Sequence, residues 1–229
     1  MSLQNNPLIS ILIPTYNNGK YISQAIESVY AQNYDNMEII VVDDGSTDNT
    51  KEVLKQYKDI KYFYVEHKGI PFVRNLALEK SQGEYIAFLD SDDYWLPEKL
   101  NIQMQYFKEH PDCEIVFTKY KNFFEEESIK DNKKAIHEQK QEEKQNKILP
   151  SALIKKNLFE KYGVFDETFQ TGEDTEFIYR MGKRGVNLDC CIEKNFYMRR
   201  LHGNNVTLTK NTKYLKFVAD LLRKGVLSK

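Results

Sequence analysis

"MEIIVVDDGSTDNTKEVLKQYK", Met37 to Lys58, is the stretch on which the fold turns. Its first residues form a β-rich run with almost no polar alternation, as expected of a strand buried on both faces. The run stops on Asp43 and Asp44. A Ser/Thr/Asp cluster then gives a helix start signal ahead of a short amphipathic segment. The same unit of strand, polar stop and helix recurs on either side. Upstream, "LISILIP" (Leu8 to Pro14) is an apolar run closed by proline, and Ile22, Ala25, Ile26 and Val29 follow at three- and four-residue steps. Downstream, "IKYFYV" (Ile60 to Val65), "EYIAFLD" (Glu84 to Asp90) and "CEIVFT" (Cys113 to Thr118) read as further strands. Ile70, Val73 and Ala77 mark one intervening helix; Leu100, Met104 and Phe107, after Pro97, mark another. Strands alternating with helices predict βαβ units and an α/β fold with a mostly parallel central sheet.

The pattern fails between Glu125 and Lys147, where only Ile129, Ala135 and Ile136 are apolar. Such a segment cannot bury enough surface to offset its ordering entropy, so it reads as a surface loop or solvated helix. Beyond it, "ILPSALIKKNLFEKYGVF" predicts a helix ended at Gly163, and "EDTEFIYRMGKRG" a helix with Phe177, Ile178 and Met181 on one face. "YLKFVADLLRKGVL" near the C-terminus is amphipathic. It suits packing on the core, a homodimer contact or a peripheral membrane contact.

A balance of 33 basic and 34 acidic side chains leaves a net charge of −1, which excludes a generic polyanion binder and points away from nucleic acid. Cys113, Cys190 and Cys191 offer neither a disulfide framework nor a metal-type CxxC spacing, so a reducing cytoplasm fits the composition. No signal peptide is expected ahead of the first strand, and no apolar run nears the roughly 18 residues of a spanning helix.

Two acidic clusters fall at strand ends, where parallel α/β sheets bind ligands: Asp43 with Asp44, and Asp90, Asp92 and Asp93 in "FLDSDD". The D-x-D spacing in an extended segment sends Asp90 and Asp92 the same way, so they can share a hard divalent cation with ligand phosphates. Asp48 suits a helix cap. No glycine-rich phosphate loop of the GxxxxGK[ST] or GxGxxG type occurs to take over that work. Trp95, beside the acids, is a candidate acceptor platform, whereas His67, His110 and His137 join no constellation.

Together "ISILIPTYNNGKYISQAIESVYAQNYDNMEIIVVDDGSTDNT", "GIPFVRNLAL", "GEYIAFLDSDD" and "GEDTEFIYRM" resemble family 2 glycosyltransferases of the GT-A fold, over roughly residues 8–205. The resemblance implies one catalytic domain across residues 1–229. Its Rossmann-like nucleotide-sugar half would span about 8–120 and its acceptor half about 121–205, with the charged loop 125–147 inside the latter and a helical tail at 206–229. It also implies a UDP-sugar donor, a saccharide or lipid-linked acceptor, Mn²⁺ or Mg²⁺, inversion at the anomeric carbon, and bacterial surface polysaccharide synthesis in the cytoplasm or at the inner face of the membrane. On the family pattern, Thr15, Tyr16, Asn17, Asp43, Asp44, Arg74, Asp90 and Asp92 attend the donor, with Asp44 at the uracil. Asp92, Asp93 and His202 attend the metal, Asp174 is the general base, and Glu173 helps orient the acceptor or the loop. A sugar-nucleotide nucleotidyltransferase and a non-catalytic nucleotide-binding module are the rival readings. The first would normally carry a basic glycine-rich loop after the first strand, and the second would leave Asp174 without a job.

Overall fold

The computed structural model describes residues 6–124, 147–169 and 171–202. β1 (Ile9–Thr15) is buried at every position, which explains its unbroken apolar run. Ile9, Ile11 and Ile13 face one side of the sheet with Ile22, Ala25, Ile26 and Val29 of α1 (Ile22–Tyr30), while Leu12 faces the other. β2 (Met37–Asp43) and β4 (Tyr85–Phe88) flank β1 in parallel, and β3 (Lys61–Tyr64) adds to β2, also in parallel. α2 (Thr50–Leu54), α3 (Ile70–Lys80) and α4 (Lys99–Glu109) complete the first half, α4 beginning just after the short strand β5 (Tyr94–Trp95). Burying each large aliphatic side chain contributes roughly 1.5–3 kcal/mol. Truncating Ile11 to Ala, between two packed layers, would cost about 2–5 kcal/mol.

The second half departs from the expected pattern. The fifth expected strand runs on as β6 (Ile115–Phe124). The helix expected to end at Gly163 breaks into a 3₁₀ turn at Leu149–Ser151, a strand β7 (Leu153–Lys155) and a short α5 (Asn157–Tyr162). A short apolar run suits helix or strand equally, and here the gap between two existing strands decides: Ile154 pairs antiparallel with Ile86 on one side and Ile115 on the other. α6 (Glu173–Lys183) forms as expected. β8 (Cys191–Leu201), unforeseen, pairs in parallel with β6 and antiparallel with β5. The strand order is β3-β2-β1-β4-β7-β6-β8-β5.

A disulfide joins Cys113 to Cys190, correcting the expectation that no cysteines pair. Seventy-seven residues separate them, so no spacing motif could reveal the bond; the parallel pairing of β6 with β8 brings them together. Cys191 remains a free thiol. No helix among the described residues is long and apolar enough to cross a membrane. Loop 125–147, apart from Lys147, and the tail 206–229 lie outside the described residues, so the readings made for them stay expectations.

Candidate active site

The parallel strands end on one edge, and the acids gather there. Thr15 closes β1 with its Oγ1 buried and lacking a hydrogen-bond partner among the described residues, a polar atom suited to a ligand. Tyr16 follows, 46% exposed, with its ring 4.6 Å from that of His67. Asn17 Oδ1 accepts from the amides of Thr47 and Asp48 and so staples the loop that follows β2 at this edge. Asp48 accepts from Gly19 N and from Thr50, the expected structural role.

Asp43 is fully buried, accepting from the Tyr62 hydroxyl at 2.9 Å and from Ser46 N at 2.8 Å. Asp44 accepts from the amides of Lys68 and Gly69, with His67 Nδ1 2.8 Å from its Oδ2. Gly45 permits this close approach. It sits at φ +84°, and a Cβ there would meet His67 N at 3.0 Å. His67 therefore belongs to the site despite showing no constellation in the sequence, because 23 residues separate it from Asp44.

Arg74 is buried on α3 and joins two acids: its Nη1 donates to Glu173 Oε1 and its Nη2 to Asp90 Oδ1 at 3.1 Å. Burial opposes the guanidinium charge, but Glu173 and Asp90 more than offset this and raise its pKa. Burial pushes Glu173 above the usual carboxylate range against the pull of Arg74, and nearby Asp174 adds to the rise. Glu173 is thus turned inward against Arg74, which sets aside its expected place beside an acceptor and leaves it the role of orienting the loop. Arg74 meets the acidic edge through Asp90, and its Nε is buried without a hydrogen-bond partner among the described residues. Asp174, one residue on, opens α6 after Gly172, whose φ of +83° shapes the turn. Its Oδ1 accepts from Thr175 N at 2.7 Å, and its charge is felt by Arg74, Glu173 and Asp90. Asp90 is raised by burial first and by Asp92 and Asp174 next, with Arg74 opposing.

Asp92 and Asp93 part company. Asp92 Oδ2 lies 3.0 Å from His202 Nε2. Asp93 faces inward, its Oδ2 accepting from the Tyr197 hydroxyl and its Oδ1 from Arg200 N at 2.6 Å, and burial holds its pKa well above the usual value. This inward placement removes Asp93 from the expected metal ligands and makes it the pin between the D-x-D loop and β8. Trp95 is 2% exposed, donates Nε1–H to Pro150 O at 3.2 Å and carries Lys99 Nζ 4.3 Å from its ring centroid. It is core, not an acceptor platform.

No group of three or more metal-type side chains converges among the described residues. The donor pair Asp92 and His202 nonetheless fits a divalent ion. Neighbouring ligands on one octahedral ion, each about 2.1 Å from it, stand about 3.0 Å apart, as Asp92 Oδ2 and His202 Nε2 do, and a carboxylate with an imidazole is a donor set that suits Mn²⁺ or Mg²⁺.

The family model for glycosyl transferase family 2 matches residues 10–200. Among curated proteins, the Escherichia coli UDP-Glc:alpha-D-GlcNAc-diphosphoundecaprenol beta-1,3-glucosyltransferase WfaP is 40% identical over 125 residues, covering 53% of this chain and 48% of that protein. An uncharacterized glycosyltransferase of Rickettsia bellii is 34% identical over 216 residues, 90% of this chain and 30% of that protein. The chain thus spans about half, or less, of the length of these relatives. The crystal structure of S. aureus TarS 1-349 in complex with UDP superposes with a TM-score of 0.67 at 25% identity, covering 84% of this chain and 60% of that one. With its sheet, its acidic edge and its motifs in agreement, the chain belongs to glycosyl transferase family 2.

Proposed function

We propose that the protein transfers a sugar from a UDP-sugar to a hydroxyl of a saccharide or lipid-linked acceptor, with inversion at the anomeric carbon. The observation that carries this reading is the meeting, on one sheet edge, of the Asp92 and His202 pair with Asp90 and Asp174. The names of the relatives support it, since WfaP is named for UDP-Glc and a diphosphoundecaprenol acceptor and TarS is solved with UDP.

In this reading the uracil lies against the open Tyr16 ring, and its N3–H donates a hydrogen bond to an Asp44 oxygen in place of one bond that carboxylate now accepts. Thr15 Oγ1 gains its missing partner from the nucleotide. Asp92 and His202 would hold a Mn²⁺ or Mg²⁺ ion, which when bound would supply positive charge to the departing diphosphate. Asp174 accepts the proton of the acceptor hydroxyl as its oxygen attacks the anomeric carbon opposite the leaving UDP. Attack from that side inverts the centre. A carboxylate is a weak base at rest, but the hydroxyl acidifies as its bond to carbon forms, so placement outweighs basicity. Asp174 is placed by Glu173, which Arg74 locks into the core. An acceptor on a lipid diphosphate would place the reaction at the inner face of a bacterial membrane, in surface polysaccharide assembly.

The test is a donor screen: UDP-glucose, UDP-galactose and their N-acetyl forms are each incubated with the protein and Mn²⁺, and UDP release is followed. At least one donor should be turned over slowly without acceptor and faster with a lipid-diphosphate sugar, and Asp92→Ala should abolish both. Absence of turnover with every uridine donor, in protein that binds UDP, would overturn the transferase reading.

A further inference from the structure

Asp92 and His202 sit on different segments, a loop after β4 and the residue just past β8, so something must fix one against the other. Arg200, on β8 two residues before His202, ties that strand to the loop that carries Asp92. Its backbone N–H donates to Asp93 Oδ1 at 2.6 Å, its Nε donates to the carbonyl oxygen of Asp92 at 2.7 Å, and its Nη2 donates to Gln24 Oε1 on α1. The guanidinium is held between two rings, its carbon 4.7 Å from the centroid of Tyr21 and 4.6 Å from that of Phe123. Tyr21 also packs against His202, ring centroids 5.1 Å apart. Both Arg200 and His202 are buried.

We propose that Arg200 is a positioning residue that sets the Asp92 carboxylate and the His202 imidazole at one cation's separation. The inference rests on the reading above, in which that pair holds the diphosphate-bound ion. Two backbone segments and two rings converge on a single planar group. The Nε bond fixes the Asp92 peptide, the amide bond fixes the end of β8, and Tyr21 and Phe123 leave the guanidinium one plane to occupy. Lysine keeps the charge but has neither the plane nor the fork, so it cannot make these contacts together. Groups that orient metal ligands in this way typically contribute 10–100-fold to metal affinity when removed.

The experiment compares the dissociation constant of UDP with and without Mn²⁺, by calorimetry on the full chain, for wild type, Arg200→Lys, Arg200→Gln and Asp92→Ala, with a thermal melt of each. Arg200→Lys should lose about 10–100-fold of the Mn²⁺ enhancement while metal-free UDP affinity stays at the wild-type value, and Arg200→Gln should lose at least as much. A purely structural arginine would instead lower the melting temperature and leave the ratio of the two constants unchanged. That result, with Asp92→Ala still losing the enhancement, overturns the positioning role and leaves the proposed reaction standing. If Asp92→Ala also keeps the full enhancement, the metal pair itself is wrong and this inference falls with it. Should the Arg200 variants not fold, Phe123→Leu removes one wall and takes away no polar side-chain atom. A several-fold loss of enhancement is then expected, and an unchanged ratio overturns the proposal.

Discussion

Arg74 and Arg200 hold the acidic centre from two sides, and they do so by different physics. Arg74 is tied by charge, buried with Glu173 and Asp90 as its partners and with the faces of Phe88 and Phe165 near its guanidinium. Arg200 is tied by shape: two rings, a backbone carbonyl and an amide side chain. The first arrangement suits the side where a base must be rigid, because removing either partner strands a buried charge. The second suits the side proposed to take a cation, because a planar group bonded to the Asp92 backbone carbonyl holds the ligand-bearing loop without occupying that bond with the carboxylate itself. Lys99 is a third buried cation and marks the limit. It is paired with no carboxylate among the described residues, only with the Trp95 ring and Gln103 Oε1 at 2.9 Å, and burial lowers its pKa to about 7.

The largest expected effect separates the two sides in function. Asp174→Asn should lower turnover by about 10²–10⁴-fold while UDP binding with Mn²⁺ stays within twofold of wild type. Steady-state kinetics beside calorimetry check this, and near-normal turnover would show that the base lies elsewhere. Next, Arg74→Met should destabilise the fold by about 3–5 kcal/mol in urea unfolding, since Glu173 and Asp90 lose their counter-charge. Adding Glu173→Gln should recover part of that loss. A fully additive double variant would mean that the buried pair is not coupled.

The parallel half was readable because strands buried on both faces and helices with one apolar face leave different periods in the chain, as "LISILIP" and Ile22 to Val29 show. β7 was unreadable because three residues carry no period, and β8 because "CIEKNFYMRRL" mixes charges that the sheet edge accommodates with residues it buries. In the site, the motif positions of Asp90, Asp92 and Asp174 were visible, but the directions of neighbouring side chains were not. Asp93 and Glu173 look as acidic as their neighbours and point inward. Trp95 lies beside the acids in sequence but is packed in the core against Pro150 and Lys99. His67 and Arg200 gained their places through β2 with its neighbouring loop and through the β5, β6 and β8 pairing, contacts that lie 23 and 108 residues apart.

His202→Ala should weaken the Mn²⁺ enhancement of UDP binding by about 10–100-fold without a matching loss of stability, in line with a ligand rather than a core residue. A melting-temperature drop with unchanged enhancement would move His202 to the structural side. The smallest effect concerns Lys99. Its folded pKa, about 7, lies below the ordinary 10.5, so the unfolded chain binds the extra proton between those values and stability should rise with pH across that window. The gain from pH 7 to 9 should be about 2 kcal/mol. Lys99→Met should flatten it, and an identical pH profile in the variant would show that Lys99 is not the titrating group.

The central claim is that the acidic edge binds a nucleoside diphosphate through a shared divalent ion, and titrating UDP into the protein in the presence and absence of Mn²⁺ tests it most directly. The account predicts at least tenfold tighter binding with the metal, lost in Asp92→Ala. Equal affinity with and without metal, in folded wild-type protein, would contradict it.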